Sequence, residues 1–243
     1  MSVLSLAFVR NGHFFWCPGE RTLGHHECKR CLWQLYAFVS VLALVVAVLE
    51  FVGSSHTGSQ ALWGDAWHVL SDALGYLIGF VDAYLSGSIL RTVKAKKQIR
   101  DIGEYLIGST LLLSGIGIIT NSVLRLWSDS LPQLEQGGTL SIVALVGLLA
   151  NILILWLLWG FGHQHDHHGH GHGENHILTG NIWHTIGDTS ASFLVLTEGL
   201  LLWLTSAHWV RYLDVVGATL IALMLMWQGF KIFVRHWQEE CSI

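Results

Sequence analysis

The hydrophobic pattern of the chain is dominated by six long apolar runs separated by shorter polar stretches. A helix that crosses the hydrocarbon core of a bilayer needs about 20 mostly apolar residues, and each run is long enough. The predicted spans are Leu32–Val52, Ala61–Ser86, Gly103–Trp127, Thr139–Phe161, Ile177–Thr205 and Trp209–Val234. The pattern therefore predicts an all-α, polytopic membrane protein with six transmembrane helices.

The six spans differ in how many polar residues they contain. The first and fourth are almost purely apolar, whereas the other four carry polar side chains that we expect to face the bundle interior for part of their surface. Glu50, Glu198 and Asp214 lie at or near the ends of spans, where we expect water to reach them. Asn121 and Asn151 are expected to form hydrogen bonds between helices.

Composition agrees with a membrane protein and narrows the range of partners. The 243 residues are 52% hydrophobic and 12% charged, with 12 tryptophans. Soluble domains have about 25% charged residues, and tryptophan is enriched where helices meet the membrane surface. The net charge of −4 indicates no nucleic-acid partner. The predicted surroundings are a lipid bilayer.

The basic residues predict the orientation of the spans, because cytoplasmic loops are enriched in lysine and arginine. The connection after the second span, RTVKAKKQIR, holds five basic residues, whereas the connections after the first and third spans hold none. Both termini and the connections 2–3 and 4–5 are therefore predicted to be cytoplasmic. Arg125 and Arg211, near the outer ends of the third and sixth spans, are exceptions. A plasma membrane or a bacterial inner membrane is the expected location.

Two of the polar spans share a repeated motif. It reads DAWHVLSD (65–72) in the second span and NIWHTIGD (181–188) in the fifth. Residues four apart lie on one face of a helix, so each motif presents a histidine and an aspartate together. If the two helices pack against each other, they bring together His68, Asp72, His184 and Asp188.

This set of side chains is typical of a zinc site. Zinc favours four ligands in a tetrahedron and accepts histidine nitrogen and aspartate oxygen. A bound cation would also offset the cost of placing two carboxylates inside a membrane. Asp65 and Asn181 begin the two motifs on the same helix faces and are candidates for orienting the ligands through hydrogen bonds. A histidine within a span can instead serve only as a hydrogen-bond partner between helices.

The six-span layout and the two motifs resemble the cation diffusion facilitator family of zinc transporters. The resemblance covers roughly Trp33 to Arg235. GDAWHVLSDALG (64–75) resembles the family's second helix, and GLLAN (147–151) resembles a Gly-Leu-x-x-Asn pattern in its fourth. Tyr212 to Asp214 lie where the sixth helix of the family opens with an aspartate.

The resemblance implies which residues hold the transported ion and how the chain assembles. By position, the transport-site ligands are His68, Asp72, His184 and Asp188, a set similar to that of the zinc-preferring members. Family members usually follow the sixth helix with a cytoplasmic domain that binds metal and dimerises. We expect this chain to lack that domain, so a homodimer would have to form through the transmembrane helices.

The connection between the fourth and fifth spans is rich in histidine and glycine, reading GHQHDHHGHGHGENH. Such tracts bind metals through many flexible ligands without a fixed geometry. The segment is either a cytoplasmic collector that raises the local zinc concentration or a soluble linker. Its candidate ligands are His163, His165, His167, His168, His170, His172 and His176.

The segment before the first span, CPGERTLGHHECKRC, is a second candidate for auxiliary metal binding. Its Cys-x-x-Cys pair is half of a common zinc site, and on the predicted topology these thiols face the reducing side of the membrane. The alternative is a tail whose thiols have no role. The candidate ligands are Cys17, His25, His26, Cys28 and Cys31.

These segments divide the chain into predicted parts. Residues 1–31 form a cytoplasmic tail, residues 32–235 the transmembrane domain and residues 236–243 a short C-terminal tail. Within the transmembrane domain, residues 162–176 form the cytoplasmic histidine-rich loop.

The most specific functional hypothesis is a secondary transporter that exports Zn²⁺ and takes protons in exchange. Protons compete with a metal for the same ligand lone pairs, which suits histidine and aspartate to such coupling. A metal-binding sensor or channel without coupled transport is an alternative. An intramembrane zinc enzyme is a less favoured alternative, because it would need an open coordination position and the chain lacks a His-Glu-x-x-His motif. The chain also lacks a phosphate-binding loop, so we do not expect it to hydrolyse ATP.

Overall fold

In the computed structural model, the described part of the chain forms a bundle of six α-helices. The backbone is described for residues 9–10, 13–14, 29–85, 93–128, 136–162, 175–205 and 208–241. Side chains are described for residues 33–84, 98, 101–128, 136–158, 188–205, 209–235 and 237–238.

The six helices follow the six apolar runs, which confirms the all-α prediction. They are α1 (Lys29–Thr57), α2 (Gln60–Leu85), α3 (Val93–Ser128), α4 (Gly137–Gly162), α5 (Asn175–Leu204) and α6 (Arg211–Cys241). A short 3₁₀ helix, His208–Val210, precedes α6, and two-residue strands β1 (Val9–Arg10) and β2 (His13–Phe14) pair antiparallel near the N-terminus. Most helices extend beyond the apolar runs, since polar flanking residues can continue a helix into water.

Four of the helices are long and apolar enough to cross a membrane. These candidate spans are Trp33–Thr57, Asp101–Ser128, Gly137–Leu158 and Arg211–Arg235. The remaining two helices, α2 and α5, contain the repeated motifs, and the polar residues of α2 lower its mean hydropathy. Together with a lipid-exposed surface of leucine, isoleucine and valine, the six helices make this a multi-pass membrane protein.

The helices associate mainly in three pairs. α1 packs against α2, α4 against α5, and α3 against α6. α2 is the central helix because it also contacts α3, α5 and α6. A central position lets α2 carry buried polar residues that a lipid-facing helix could not tolerate.

The turn between α1 and α2 folds these helices into an antiparallel hairpin. Gly58 has a positive φ of 72°, a conformation that favours glycine, and its N–H donates to the Ser54 carbonyl at 2.8 Å. We call the end of the bundle that carries Gly58 the outer end and the opposite end the inner end. On the predicted orientation, the outer end lies away from the cytoplasm.

A buried polar network fixes the start of α2 at the outer end. The Asp214 carboxylate, on α6, accepts a hydrogen bond from Ser59 Oγ at 2.6 Å and from two backbone N–H groups that begin α2, each at 3.0 Å. The first N–H groups of a helix lack partners within the helix and favour a negative charge. Asp214 therefore ties α6 to the beginning of the central helix.

Arg125 joins the same network from α3. Its Nη1 donates to the carbonyl of Gly58 and lies 3.8 Å from Asp214 Oδ2. This contact gives a structural reason for a basic residue at the outer end, where the distribution of loop charges made it an exception. Three helices and the hairpin turn thus meet at one buried carboxylate.

Candidate metal-binding site

The repeated motifs bring three of the four predicted ligands together inside the bundle. His68 and Asp72 lie one turn apart on α2, and Asp188 approaches them from α5. Each offers one ligand atom, and the three ligand atoms all lie within 4.8 Å of one another. The exposed fractions are 0% for His68, 8% for Asp72 and 1% for Asp188, so the group is closed to bulk water.

A direct contact links the two helices at this point. His68 Nε2 and Asp188 Oδ1 form a hydrogen bond between α2 and α5. Histidine nitrogen and carboxylate oxygen are both ligands that zinc accepts, and a cation between these atoms would bind to the lone pairs that now share a proton. The group therefore has the donor chemistry of a zinc site.

The remaining residues of the fifth-span motif lie on α5, but their side chains are outside the described residues. His184 is one helical turn before Asp188, and Asn181 lies seven residues before Asp188. Helix periodicity places all three on one face of α5. The assignment of His184 as a fourth ligand and of Asn181 as its neighbour stays a prediction.

The auxiliary metal-binding segments also fall largely outside the described residues. Of the histidine-rich loop, only His176 lies in a described element, in the first turn of α5, because α4 ends at Gly162. Of the N-terminal cluster, only Cys31 does so, in the first turn of α1. The side chains of both residues are outside the described set, so the predicted roles of these segments and the predicted domain limits remain predictions.

Asp65 belongs to a chain of hydrogen bonds across three helices. Its Oδ2 accepts from Ser192 Oγ at 2.9 Å, and Ser192 Oγ in turn accepts from Asn151 Nδ2 at 3.0 Å. All three residues are buried, on α2, α5 and α4. The predicted interhelical hydrogen bond of Asn151 is confirmed, whereas Asn121 lies on an exposed face of α3.

The expectation that water reaches three acidic residues near span ends is wrong. Glu50 and Asp214 are 0% exposed and Glu198 is 5% exposed. Neighbouring helices pack around these positions, so a carboxyl near the end of an apolar run can still be enclosed. One signal in the sequence could have predicted that Glu50 is buried. Glu50 lies eight residues before Gly58, and Asp65 lies seven residues after Gly58. In an antiparallel hairpin, those positions are at nearly the same depth.

Comparison with known proteins agrees with this architecture. The family described as the cation efflux transmembrane domain matches residues 37–238, which is most of the chain. The chain is 22% identical over 210 residues to the cadmium, cobalt and zinc/H(+)-K(+) antiporter of Bacillus subtilis (strain 168), covering 86% of this chain and 62% of that protein.

Two further relatives are named as zinc transporters. The chain is 28% identical over 171 residues to zinc transporter ZitB of Escherichia coli (strain K12), covering 68% of this chain and 51% of that protein. It is 24% identical over 194 residues to ZitB of Yersinia pestis, covering 79% of this chain and 57% of that protein. The chain thus spans between 51% and 62% of the length of these three relatives.

The family match and the relatives agree with the resemblance carried by the repeated motifs, and these relatives are named as transporters rather than enzymes. The family match includes α2 to α5 completely and most of α1 and α6. The chain therefore belongs to the cation efflux family, the cation diffusion facilitators.

Proposed function

We propose that this chain exports Zn²⁺, and related divalent cations, from the cytoplasm in exchange for protons. The ion would be held by His68, Asp72, His184 and Asp188 at a site exposed alternately to the two sides of the membrane. The observation that carries the proposal is the buried group of three ligand atoms within 4.8 Å, contributed by two different helices. The names of the relatives support a divalent cation, with zinc common to all three.

The way the helices pack supports alternating access. α2 packs closely on α1, and α5 packs closely on α4, whereas α2 and α5 share a much smaller contact. The ligands His68 and Asp188 therefore lie on two helices whose direct contact is small, while α1 and α4 hold the two pairs together. A small shift of α5 against α2 would open the group to one side at a time, as secondary transport requires.

Protons supply the coupling in this proposal. Zinc binds deprotonated ligands, so binding at neutral pH displaces protons from histidine and aspartate. Protonation on the outer side would compete for the same lone pairs and release the ion. The hydrogen bond between His68 and Asp188 supports this proposal, because both groups can take up a proton and both are metal ligands.

Flux measurements with both ions test the coupling. The purified chain would be placed in proteoliposomes that contain a zinc-sensitive dye or a pH-sensitive dye. With an acidic lumen, we expect external zinc to enter faster than without a gradient and the lumen to become less acidic as it enters. A protonophore added to the same vesicles should remove the acceleration without breaking the vesicles.

Two results would contradict the proposal in different ways. Zinc that binds to the protein but does not cross the membrane under any gradient would indicate a static metal site or a sensor. Zinc that crosses at a rate independent of the pH gradient, with no movement of protons, would indicate a channel.

A further inference from the structure

Glu50 has an unusual environment for a carboxyl group in the middle of a helical bundle. It is 0% exposed, and neither of its carboxylate oxygens has a hydrogen-bond partner in the part of the chain that the structure describes. Burying a carboxyl without a partner is costly, whether it is charged or neutral. Two buried oxygens without a donor among the described side chains point to a ligand outside the chain.

Asp65 lies at nearly the same depth of the α1–α2 hairpin as Glu50, because Glu50 is eight residues before Gly58 and Asp65 is seven residues after Gly58. Asp65 Oδ2 accepts from Ser192, but Asp65 Oδ1 has no hydrogen-bond partner among the described residues. Three buried oxygens from two helices are therefore available to the same ligand, and two neighbouring acids favour a cation.

The facing surface of α4 leaves room for the Glu50 carboxylate. A Cβ atom added at Gly147 would overlap Glu50 Oε1. Glycine at this position lets the carboxylate lie directly against the α4 backbone. The space around the acid is thus created by three helices, α1, α2 and α4.

The position of these oxygens relates them to the zinc ligands. Asp65 is three residues before His68 on α2, nearer the outer end. With a rise of about 1.5 Å per residue, the step along the helix axis is about 4.5 Å. Glu50 and Asp65 therefore lie one helical turn outward from the candidate metal-binding site.

We propose that Glu50 and Asp65 form a second divalent-cation site, made of carboxylate oxygens, that receives the ion as it moves outward from His68 and Asp188. Binding at this site depends only on the side chains described, whereas its part in ion passage rests on the proposed transport function. Zinc accepts carboxylate oxygen, but all-oxygen sites suit other divalent cations better. This site should therefore hold zinc more weakly than the site that contains an imidazole. Weaker binding on the outward side favours release.

Binding of Mn²⁺ tests the site, because carboxylate ligands suit Mn²⁺ while histidine and thiolate clusters prefer other metals. Free Mn²⁺ would be measured by electron paramagnetic resonance during titration of the purified full chain. We expect Asp188→Asn to bind Mn²⁺ still. We expect Glu50→Gln to lower the affinity for this Mn²⁺ by at least about tenfold. Glu104→Gln, which changes a partly exposed carboxyl on α3 that pairs with Arg235, is the matched control and should bind as wild type.

A second variant keeps the test valid if Glu50→Gln disturbs folding. Gly147→Ala keeps both carboxylates but pushes a methyl group against Glu50, so it should also weaken Mn²⁺ binding. If both variants, with wild-type elution on size exclusion, bind Mn²⁺ as tightly as wild type, the second site does not exist.

Zinc uptake by Glu50→Gln proteoliposomes separates the site from its role in passage. We expect uptake to slow by at least about tenfold while zinc affinity at the first site is retained. Weakened Mn²⁺ binding with unchanged zinc uptake would overturn the role in passage and leave the site standing. If wild type moves no zinc at all, the transport proposal and the role in passage fail together, and the Mn²⁺ titration still decides whether the second site exists.

Discussion

The buried acids of this bundle differ in what surrounds each carboxylate. Asp214 accepts three hydrogen bonds and has Arg125 nearby, so its charge is compensated by the protein itself. Asp188 meets an imidazole, and the two carboxylate oxygens of Glu50 have no hydrogen-bond partner among the described residues. The first arrangement stabilises a fixed structure, while the other two leave lone pairs that a cation can use. Residue type alone would not separate these tasks.

Ser192 is the residue that connects Asp65 to α4 and α5. Replacing it with alanine removes the acceptor of Asn151 and the donor to Asp65 in one step. Polar contacts between transmembrane helices contribute about 0.6–2 kcal/mol, so we expect Ser192→Ala to lower the free energy of unfolding by about 1 kcal/mol.

Unfolding in detergent, followed by tryptophan fluorescence, measures this change. Thr197→Val is the control on the same helix, because Thr197 is exposed and its hydroxyl donates to the Phe193 carbonyl within α5 itself. An equal loss of stability in both variants would mean that the interhelical chain of hydrogen bonds contributes nothing specific.

At the scale of the elements, small residues set how closely α3 and α6 approach. A Cβ at Gly229 would lie 2.8 Å from the Gly108 carbonyl oxygen, and a Cβ at Gly115 would lie 2.9 Å from the Ala222 carbonyl oxygen. Membrane helices gain packing energy by close backbone contact at such positions. The two helices are therefore in contact through their backbones on both sides of the interface.

Two glycines that lie two residues apart on α3, Gly115 and Gly117, give a matched pair of variants. Gly115→Ala forces a methyl group against the α6 backbone, and we expect it to destabilise the fold by roughly 1–3 kcal/mol. Gly117→Ala adds the same methyl group where nothing lies within 4 Å, so it should be neutral or slightly stabilising.

Thermal unfolding of the two purified variants beside wild type would measure the difference. A Gly115→Ala protein as stable as Gly117→Ala would show that α3 and α6 are not held at this distance in the membrane.

At the scale of the whole molecule, the bundle surrounds a line of polar residues with apolar helices. Asp72, His68 and Asp65 follow one another outward along α2, Asp188 contacts His68 from α5, and Asp214 binds the outer end of α2. Two hydrogen bonds between the motif-bearing helices, His68–Asp188 and Ser192–Asp65, lie along this line. Cation efflux needs such a polar route, because an ion cannot cross the hydrocarbon region on its own.

Much of this architecture could be predicted from the sequence. The length of the apolar runs identifies six helices, and the four-residue spacing of histidine and aspartate identifies the faces that meet at His68 and Asp188. The sequence does not predict how deeply each polar side chain is buried or which helices enclose it. Glu50 looked accessible because its run of apolar residues ends soon after it, yet packing by α2 and α4 encloses it completely.

The side chains that hold the acids in place were also beyond sequence reasoning. Ser192 is an ordinary serine in an apolar segment, and only the crossing of α2 and α5 gives it Asp65 as a partner. Arg125 is an exception to the enrichment of basic residues in cytoplasmic loops, and its contact with the turn at Gly58 gives it a structural role. Such roles depend on which helices are neighbours, and a single sequence does not specify that.

The most direct test of the central claim is the initial rate of zinc uptake by proteoliposomes that contain Asp188→Asn. The substitution keeps the size of the side chain but removes the charge that faces His68. Asp82→Asn, on an exposed face of α2, is the control. If the buried His/Asp group carries the ion, uptake should fall by at least about tenfold in Asp188→Asn and stay at the wild-type rate in Asp82→Asn. Wild-type uptake by a correctly folded Asp188→Asn protein would show that the ion crosses elsewhere.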